Sequence, residues 1–253
     1  MSDFDRNYAA ARPGVGLDRA AIDAGLRAHM IRVYNYMATA VGLTGVIAWL
    51  TFNAAVVTNE AGHITGLTPF GQAIYGGPMP IILMLATLGL VFFISFRIDR
   101  LQYTTALALF MVYAALLGAA LSSIFLAYTG ASITRVFFIS AASFGALSLY
   151  GYTTQRDLSA FGSFLVMGLF GIIIASLVNL FLASSALTFA ISVVGVLVFA
   201  GLTAWDTQKI KEMYSPYDDG TVGGRKAVMG ALSLYLDFIN LFLMMLRLFG
   251  DRR

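Results

Sequence analysis

Residues 232–250 read LSLYLDFINLFLMMLRLFG, a segment fit for hydrocarbon with one carboxylate, Asp237, near its middle. A bilayer core of about 30 Å needs roughly 20 apolar residues at about 1.5 Å of rise each, so a stretch of this kind reads as a transmembrane helix. A charge at the bilayer centre costs about 2.5 to 3.5 kcal/mol on insertion scales. Asp237 must therefore face the interior of a helix bundle, find a partner or carry a proton.

The rest of the chain agrees with a membrane setting. Of 253 residues, 59% are hydrophobic and 11% charged, whereas a water-soluble domain has about a quarter of its residues charged. The 29 formal charges cluster between long apolar runs, which marks loops and termini. No cysteine is present, which excludes disulfides, thiol catalysis and thiolate metal sites. Two histidines far apart, His29 and His63, argue against a histidine-rich metal centre. Residues 1–30 are polar and mixed in charge, without the apolar core of a signal peptide, so the first span is expected to act as its own insertion signal. A net charge of +3 fits loop anchoring and gives no basis for nucleic-acid binding.

Seven apolar runs read as spanning helices: Val33 to Val56, Met79 to Phe96, Tyr103 to Tyr128, Ile133 to Tyr150, Leu158 to Leu182, Ala186 to Trp205 and Ala227 to Phe249. With the N-terminus inside, the inner segments hold 12 of the 16 basic residues, from Arg6, Arg12, Arg19, Arg27 and Arg32 through Arg97, Arg100, Arg156, Lys209, Lys211, Arg225 and Lys226. The loop from Val57 to Pro78 is free of Lys and Arg and fits the outside. The C-terminal arginines do not fit, which leaves two alternatives: the rule is broken at the tail, or the last helix fails to cross completely. Small residues at four-residue spacing in the third span form two rows, Ala114–Gly118–Ser122 and Ala115–Ala119–Ser123, as expected of close helix packing. Met167, Met229, Met244 and Met245 read as core filler. The expected organisation is a polar N-terminal arm over residues 1–30 and an all-α transmembrane domain over 31–253.

Most of the acidic residues lie in arms, loops or at helix ends; Asp206 and Asp237 are the exceptions. Asp206, in LTAWDTQKIKEMY, closes the sixth run, and SPYDDGTVGG supplies Pro and Gly for the reversal that follows. Counting from that reversal, with the seventh helix beginning near Arg225, leaves the two carboxylates about 6 Å apart along the bundle, within reach of two side chains plus a water or a helix offset. Like charges in a poorly solvated site do not both ionise easily, so such a pair titrates as a unit. Deprotonated, it is an oxygen cluster suited to a hard cation such as calcium. The blander reading has each aspartate hydrogen-bonded to a neighbouring helix, with Ser233 and Asn240 one turn away from Asp237 on either side. Arg97, closing the second span, reads either as a positive-inside anchor or as an ion-pair partner of Asp206. Arg135 and Arg247 read as interfacial snorkellers.

The block ALSLYLDFINLFLMMLRLFG, the preceding AWDTQKIK, the seven spans and the arginine ending the second span together resemble the Bax inhibitor-1 family of transmembrane Bax inhibitor motif proteins, in particular its bacterial members. The resemblance covers roughly residues 25 to 250; its two C-terminal motifs are specific, and the first four spans match in length and topology. It implies a seven-helix bundle with the last helix surrounded by the other six, and a pH-sensitive calcium leak in which two aspartates form the sensor. By motif these fall on Asp206 and Asp237, and the latch residue on Arg97. Some bacterial relatives carry a glutamate about three turns before that arginine; this sequence has Ala86 there, so any role for that glutamate is absent.

The leading expectation is thus a calcium leak without cofactor in a bacterial inner membrane, its N-terminus cytoplasmic, acting on calcium ions and protons. An intramembrane aspartyl protease would also place one Asp on each of two consecutive helices, but GxGD and PAL motifs are missing, as are HExxH and Gly-x-Ser-x-Gly, so no enzyme is expected. The resemblance also admits an interaction protein that restrains a membrane-anchored ATP-dependent protease or serves stress survival through partners. Proton-coupled transport of a solute is a further alternative, though no extra polar cluster marks a substrate site.

Overall fold

The computed structural model describes residues 19–59 and 64–253. Residues 1–18 of the expected arm, together with Glu60 and His63, lie outside the described residues. In chain order the elements are α1 (Arg19–Ala55), β1 (Val56–Thr58), β2 (Ile64–Leu67), α2 (Pro69–Tyr75), α3 (Met79–Arg97), α4 (Tyr103–Leu121), α5 (Ile124–Ala127), α6 (Gly130–Thr153), α7 (Ser159–Leu182), α8 (Ser185–Glu212) and α9 (Gly220–Phe249). Seven of the described helices are long and apolar enough to cross a membrane, and they match the seven apolar runs. The protein is an all-α polytopic membrane protein.

Helix starts follow local chemistry. Thr68 caps α2 by accepting from the Gly71 N–H, with Pro69 at the first helical position, where a missing N–H costs nothing. Ser184 caps α8 through the Leu187 N–H, and Asp219 caps α9 through the Thr221 and Val222 N–H groups. Those two caps fix the turns that bring the functional helices together.

The last helix is central. Within its most apolar window 72% of α9 is buried, against 11% for α3 and for α7, so α9 meets protein on nearly every side while those two meet lipid. It packs directly on α1, α4, α6 and α8; α3 covers α4, and α7 covers α8. Lipid tails are as apolar as leucine, so close packing and hydrogen bonds rather than water exclusion hold such a bundle together. The row Ala114–Gly118–Ser122 does form a close contact: a Cβ at Gly118 would lie 2.6 Å from the Thr44 carbonyl oxygen of α1. Gly151 of α6 meets the Ala204 backbone of α8 in the same way. Within the packed interior, the fully buried Tyr235 hydroxyl pairs with Thr44 Oγ1 at 2.6 Å, and Thr44 donates in turn to backbone carbonyls of α1 and α4.

Three expectations change. Residues 19–30, read as polar arm, are helical and belong to α1, and His29 and Met30 are buried. Helical hydrogen bonding does not stop where hydrocarbon stops, so hydropathy marks the membrane and not the helix end. Met167 is no core filler: it is 66% exposed on the outer face of α7, whereas Met244 and Met245 are buried. In the segment from Val57 to Pro78 the described residues are structured, with β1 and β2 pairing antiparallel and the Tyr75 hydroxyl donating to Ser122 Oγ at 3.0 Å.

The alternatives at the tail turn on where α9 ends. Thr129 N–H donates to the Asp251 carbonyl, Arg253 N–H to the Ala127 carbonyl, and Asp251 N–H to Ser132 Oγ. Asp251 also forms an ion pair with Arg135 at 2.8 Å. The end of α9 is thereby tied to the connection between α5 and α6, at the end of the bundle opposite the start of α1. The last helix is long enough to cross completely, and its end lies at the opposite end of the bundle from its start.

Candidate functional site

The register between α8 and α9 is set by Ile210 packing directly on Gly230. From that level Asp206 rises four residues, about 6 Å, and Asp237 rises seven, about 10 Å, leaving an axial gap of about 4 Å that two carboxyl side chains can span. Asp206 and Asp237 line the same cavity, close enough for their carboxyl groups to act on each other. The sequence-based count came close although α9 starts at Gly220 rather than Arg225, because a side-chain contact and not the turn fixes the register.

Asp237 is 5% exposed, and its Oδ2 has no hydrogen-bond partner. An unpartnered buried polar oxygen is costly, so its presence in the middle of a packed helix calls for an explanation. Both aspartates face a cavity of about 600 Å³ between α7, α8 and α9. Its remaining polar lining comes from Ser176, Ser233 and Asn240, and its walls from side chains such as Leu180 and Met244. Asn240 does not satisfy Asp237: its Nδ2 donates to the Leu236 carbonyl of its own helix at 2.8 Å. The blander reading, each aspartate hydrogen-bonded to a neighbouring helix, leaves Asp237 Oδ2 without an explanation.

The placement of Arg97 differs from the expected latch. It is exposed at the end of α3 and makes no ion pair with any described residue. α3 packs on α4, and the turn at its end reaches the start of α9, where Arg225 donates to the Asp99 carbonyl. Charge position along a sequence gives depth in the bilayer but not direction around the bundle. The cation whose field reaches Asp206 is Lys209, one turn further along α8, and its ammonium also sits 5.1 Å from the centre of the Trp205 indole.

Sequence reasoning missed several parts of this site. Trp205 is seated by Gly162 of α7, where any Cβ would collide with the indole ring, so the α7–α8 contact positions the residue beside Asp206. On the α6 side of α8, a hydroxyl chain runs from Tyr34 to Ser148 at 2.6 Å and on to Thr207 at 2.9 Å, tying α1, α6 and α8 together. The spacing of Thr203 and Thr207 was the available signal, since small hydroxyl residues four apart mark a packed face. Among the described residues no group of three or more His, Cys, Asp or Glu could hold a metal.

Comparison with known proteins agrees with this architecture. A family model described as "Inhibitor of apoptosis-promoting Bax1" matches residues 26–253. An uncharacterized protein of Rickettsia prowazekii is 51% identical over 231 residues, covering 91% of this chain and 92% of that protein. The inner membrane protein YbhL of Escherichia coli is 48% identical over 233 residues, covering 91% of this chain and 94% of that protein. A protein of Caulobacter vibrioides is 43% identical along the whole of both chains. The chain belongs to the Bax inhibitor-1 family, described as inhibitor of apoptosis-promoting Bax1.

Proposed function

We propose that this protein is a pH-sensitive calcium leak of a bacterial inner membrane, gated by the Asp206–Asp237 pair. The observation that carries the reading is the unpartnered Asp237 Oδ2, held beside Asp206 at the edge of a cavity within the hydrocarbon layer. An ionisable group at that depth is a functional-site hypothesis by default. The inner-membrane assignment follows from the likeness to YbhL.

With one proton between them, the two carboxyl groups hydrogen-bond and join α8 to α9. Without it, two like charges face each other in a poorly solvated site and repel, which favours separation of the helices. The same charges attract a divalent cation into the cavity, where Ser233 and Asn240 add oxygen ligands. Opening and cation attraction thus both follow deprotonation, and flux falls on acidification. Arg97 has no part in this form of the gate, whereas Lys209 limits the negative potential at Asp206. The pair acts here as a gate and not as a peptidase dyad.

Calcium entry into proteoliposomes across a pH series tests the proposal. Asp206→Asn and Asp237→Asn each keep a hydrogen-bonding side chain but remove the titration, so each flattens the pH dependence. Unchanged flux and unchanged pH dependence in both variants would eliminate the assignment.

A further inference from the structure

At the tail end of the bundle, Arg247 and Arg252 converge on a pocket of about 300 Å³ beside the turn between α7 and α8. Asn179, Ser185, Thr188 and Ser192 line it too, and Phe189 forms part of its wall. Neither arginine has an ion pair among the described residues. The acidic residue of the same tail, Asp251, is already held by Arg135.

The hydrogen-bond inventory shows what the pocket lacks. Asn179 is spent within the protein, its Nδ2 donating to Thr188 Oγ1 and its Oδ1 accepting from the Ser184 N–H. The Thr188 and Ser192 hydroxyls donate to carbonyls of their own helix. Two guanidinium groups remain, each rich in N–H donors and without an acceptor. The positive end of the 28-residue α8 opens at the same place, with Ser185 as its first residue. A donor-rich, acceptor-poor pocket of this kind fits an anion with several oxygens, and guanidinium forks match phosphate in a bidentate manner.

Depth and surroundings indicate which phosphate. Arg247 lies ten residues beyond Asp237, about 15 Å along α9, which is half the thickness of a hydrocarbon core of about 30 Å. With Asp237 taken at the mid-plane of the bilayer, the pocket is at headgroup level. Beside it Leu180, Phe181 and Leu182 are exposed by 76%, 90% and 63%, offering a surface for acyl chains. We infer that this pocket binds the phosphate group of an anionic phospholipid, seating the headgroup between Arg247, Arg252 and the start of α8. This gives the basic tail residues, which break the charge rule, a ligand on their own side of the membrane, independent of the aspartate gate.

The test uses the full chain in neutral detergent, with phosphatidylglycerol, phosphatidylcholine or inorganic phosphate added at matched ionic strength, read by native mass spectrometry and by thermal shift. Wild type and Arg135→Gln should retain phosphatidylglycerol adducts, whereas the double variant Arg247→Gln with Arg252→Gln binds it about tenfold more weakly, as expected for lost hydrogen bonds to a charged group. The double lysine variant keeps the charge but not the fork and should fall between them, which separates recognition from misfolding. Equal binding by wild type and the double glutamine variant would overturn the proposal. An equal loss in Arg135→Gln would overturn it too, reducing the effect to general surface charge. Arginine-dependent stabilisation by inorganic phosphate with no preference for the lipid would replace the lipid with a free anion.

Discussion

Replacing Gly151 by alanine isolates the contact that holds α8 in place just before Asp206. A Cβ at Gly151 would sit 2.9 Å from both Cα and C of Ala204, whereas carbon atoms pack best at about 3.5 to 4.0 Å. The obstacle is backbone, so no rotamer change relieves it, and α6 and α8 must part by close to an ångström. A gap of about 0.5 to 1 Å forfeits a quarter to a half of each dispersion contact along the interface, and overpacking of this kind costs about 1 to 3 kcal/mol. Gly145, on the same helix, has nothing within 4 Å of the corresponding Cβ. Both substitutions gain the same helix propensity, up to about 1 kcal/mol, so the difference between the two variants isolates the contact. In equilibrium unfolding by a denaturing detergent from neutral micelles, Gly151→Ala should be less stable than Gly145→Ala by about 1 to 3 kcal/mol. In thermal unfolding this corresponds to about 2 to 4 °C per kcal/mol for a chain of this size. Indistinguishable variants would refute the close α6–α8 contact and with it the positioning of Asp206.

Other expectations follow from the same packing and hydrogen bonds. Gly162→Ala should shift the emission of Trp205, measured with Trp49→Phe so that Trp205 is the sole tryptophan and with excitation selective for tryptophan, because the added methyl displaces the indole; an unchanged spectrum would contradict the seating of Trp205. Tyr235→Phe should cost about 0.6 kcal/mol, the mean for interhelical hydrogen bonds in a membrane, and a double-mutant cycle with Thr44→Val should show coupling between the two residues. The exposed Arg135–Asp251 pair should contribute no more than about 1 kcal/mol, and a larger loss in Arg135→Gln would point to a role beyond the ion pair. Outside the membrane segments, Asp157 is held below its ordinary value by its hydrogen bonds to Ser159. A carboxylate with a depressed folded value stabilises above the unfolded value and loses that contribution as pH falls through the folded one. The first turn of α7 should therefore exchange its amide hydrogens faster, after correction for intrinsic rates, as acidity increases, and Asp157→Asn should remove that dependence.

Much of this fold is legible in the sequence because the bilayer imposes a length and a polarity on each span. The seven apolar runs and the isolation of Asp237 within hydrocarbon are direct consequences. What escaped is information that hydropathy does not carry. The first helix runs back to Arg19 through polar residues, because its start depends on backbone hydrogen bonds in water. The pairing of β1 with β2 had a faint signal in two short β-branched runs around NEAG, and α2 had a clearer one in Thr68–Pro69. In the site, the approach of Asp206 to Asp237 could be counted in helical rise, since both lie on consecutive helices. Azimuth could not be counted, which is why Arg97 was expected as a latch and is instead exposed without an ion pair among the described residues, and why Lys209 and Trp205 were not singled out. Glycines 151 and 162 looked like the ordinary glycine content of membrane helices until the backbone and indole they accommodate were seen.

The central claim is that Asp206 and Asp237 act as one titrating unit that controls calcium flux. Proteoliposome calcium efflux across a pH series, for wild type, Asp206→Asn, Asp237→Asn and the double variant, measures this directly, because residues that act together are not additive. The account predicts that wild-type flux falls on acidification, that either single variant flattens the profile, and that the double variant adds little further. Additive effects of the two substitutions, or a wild-type pH profile retained in both single variants, would contradict it.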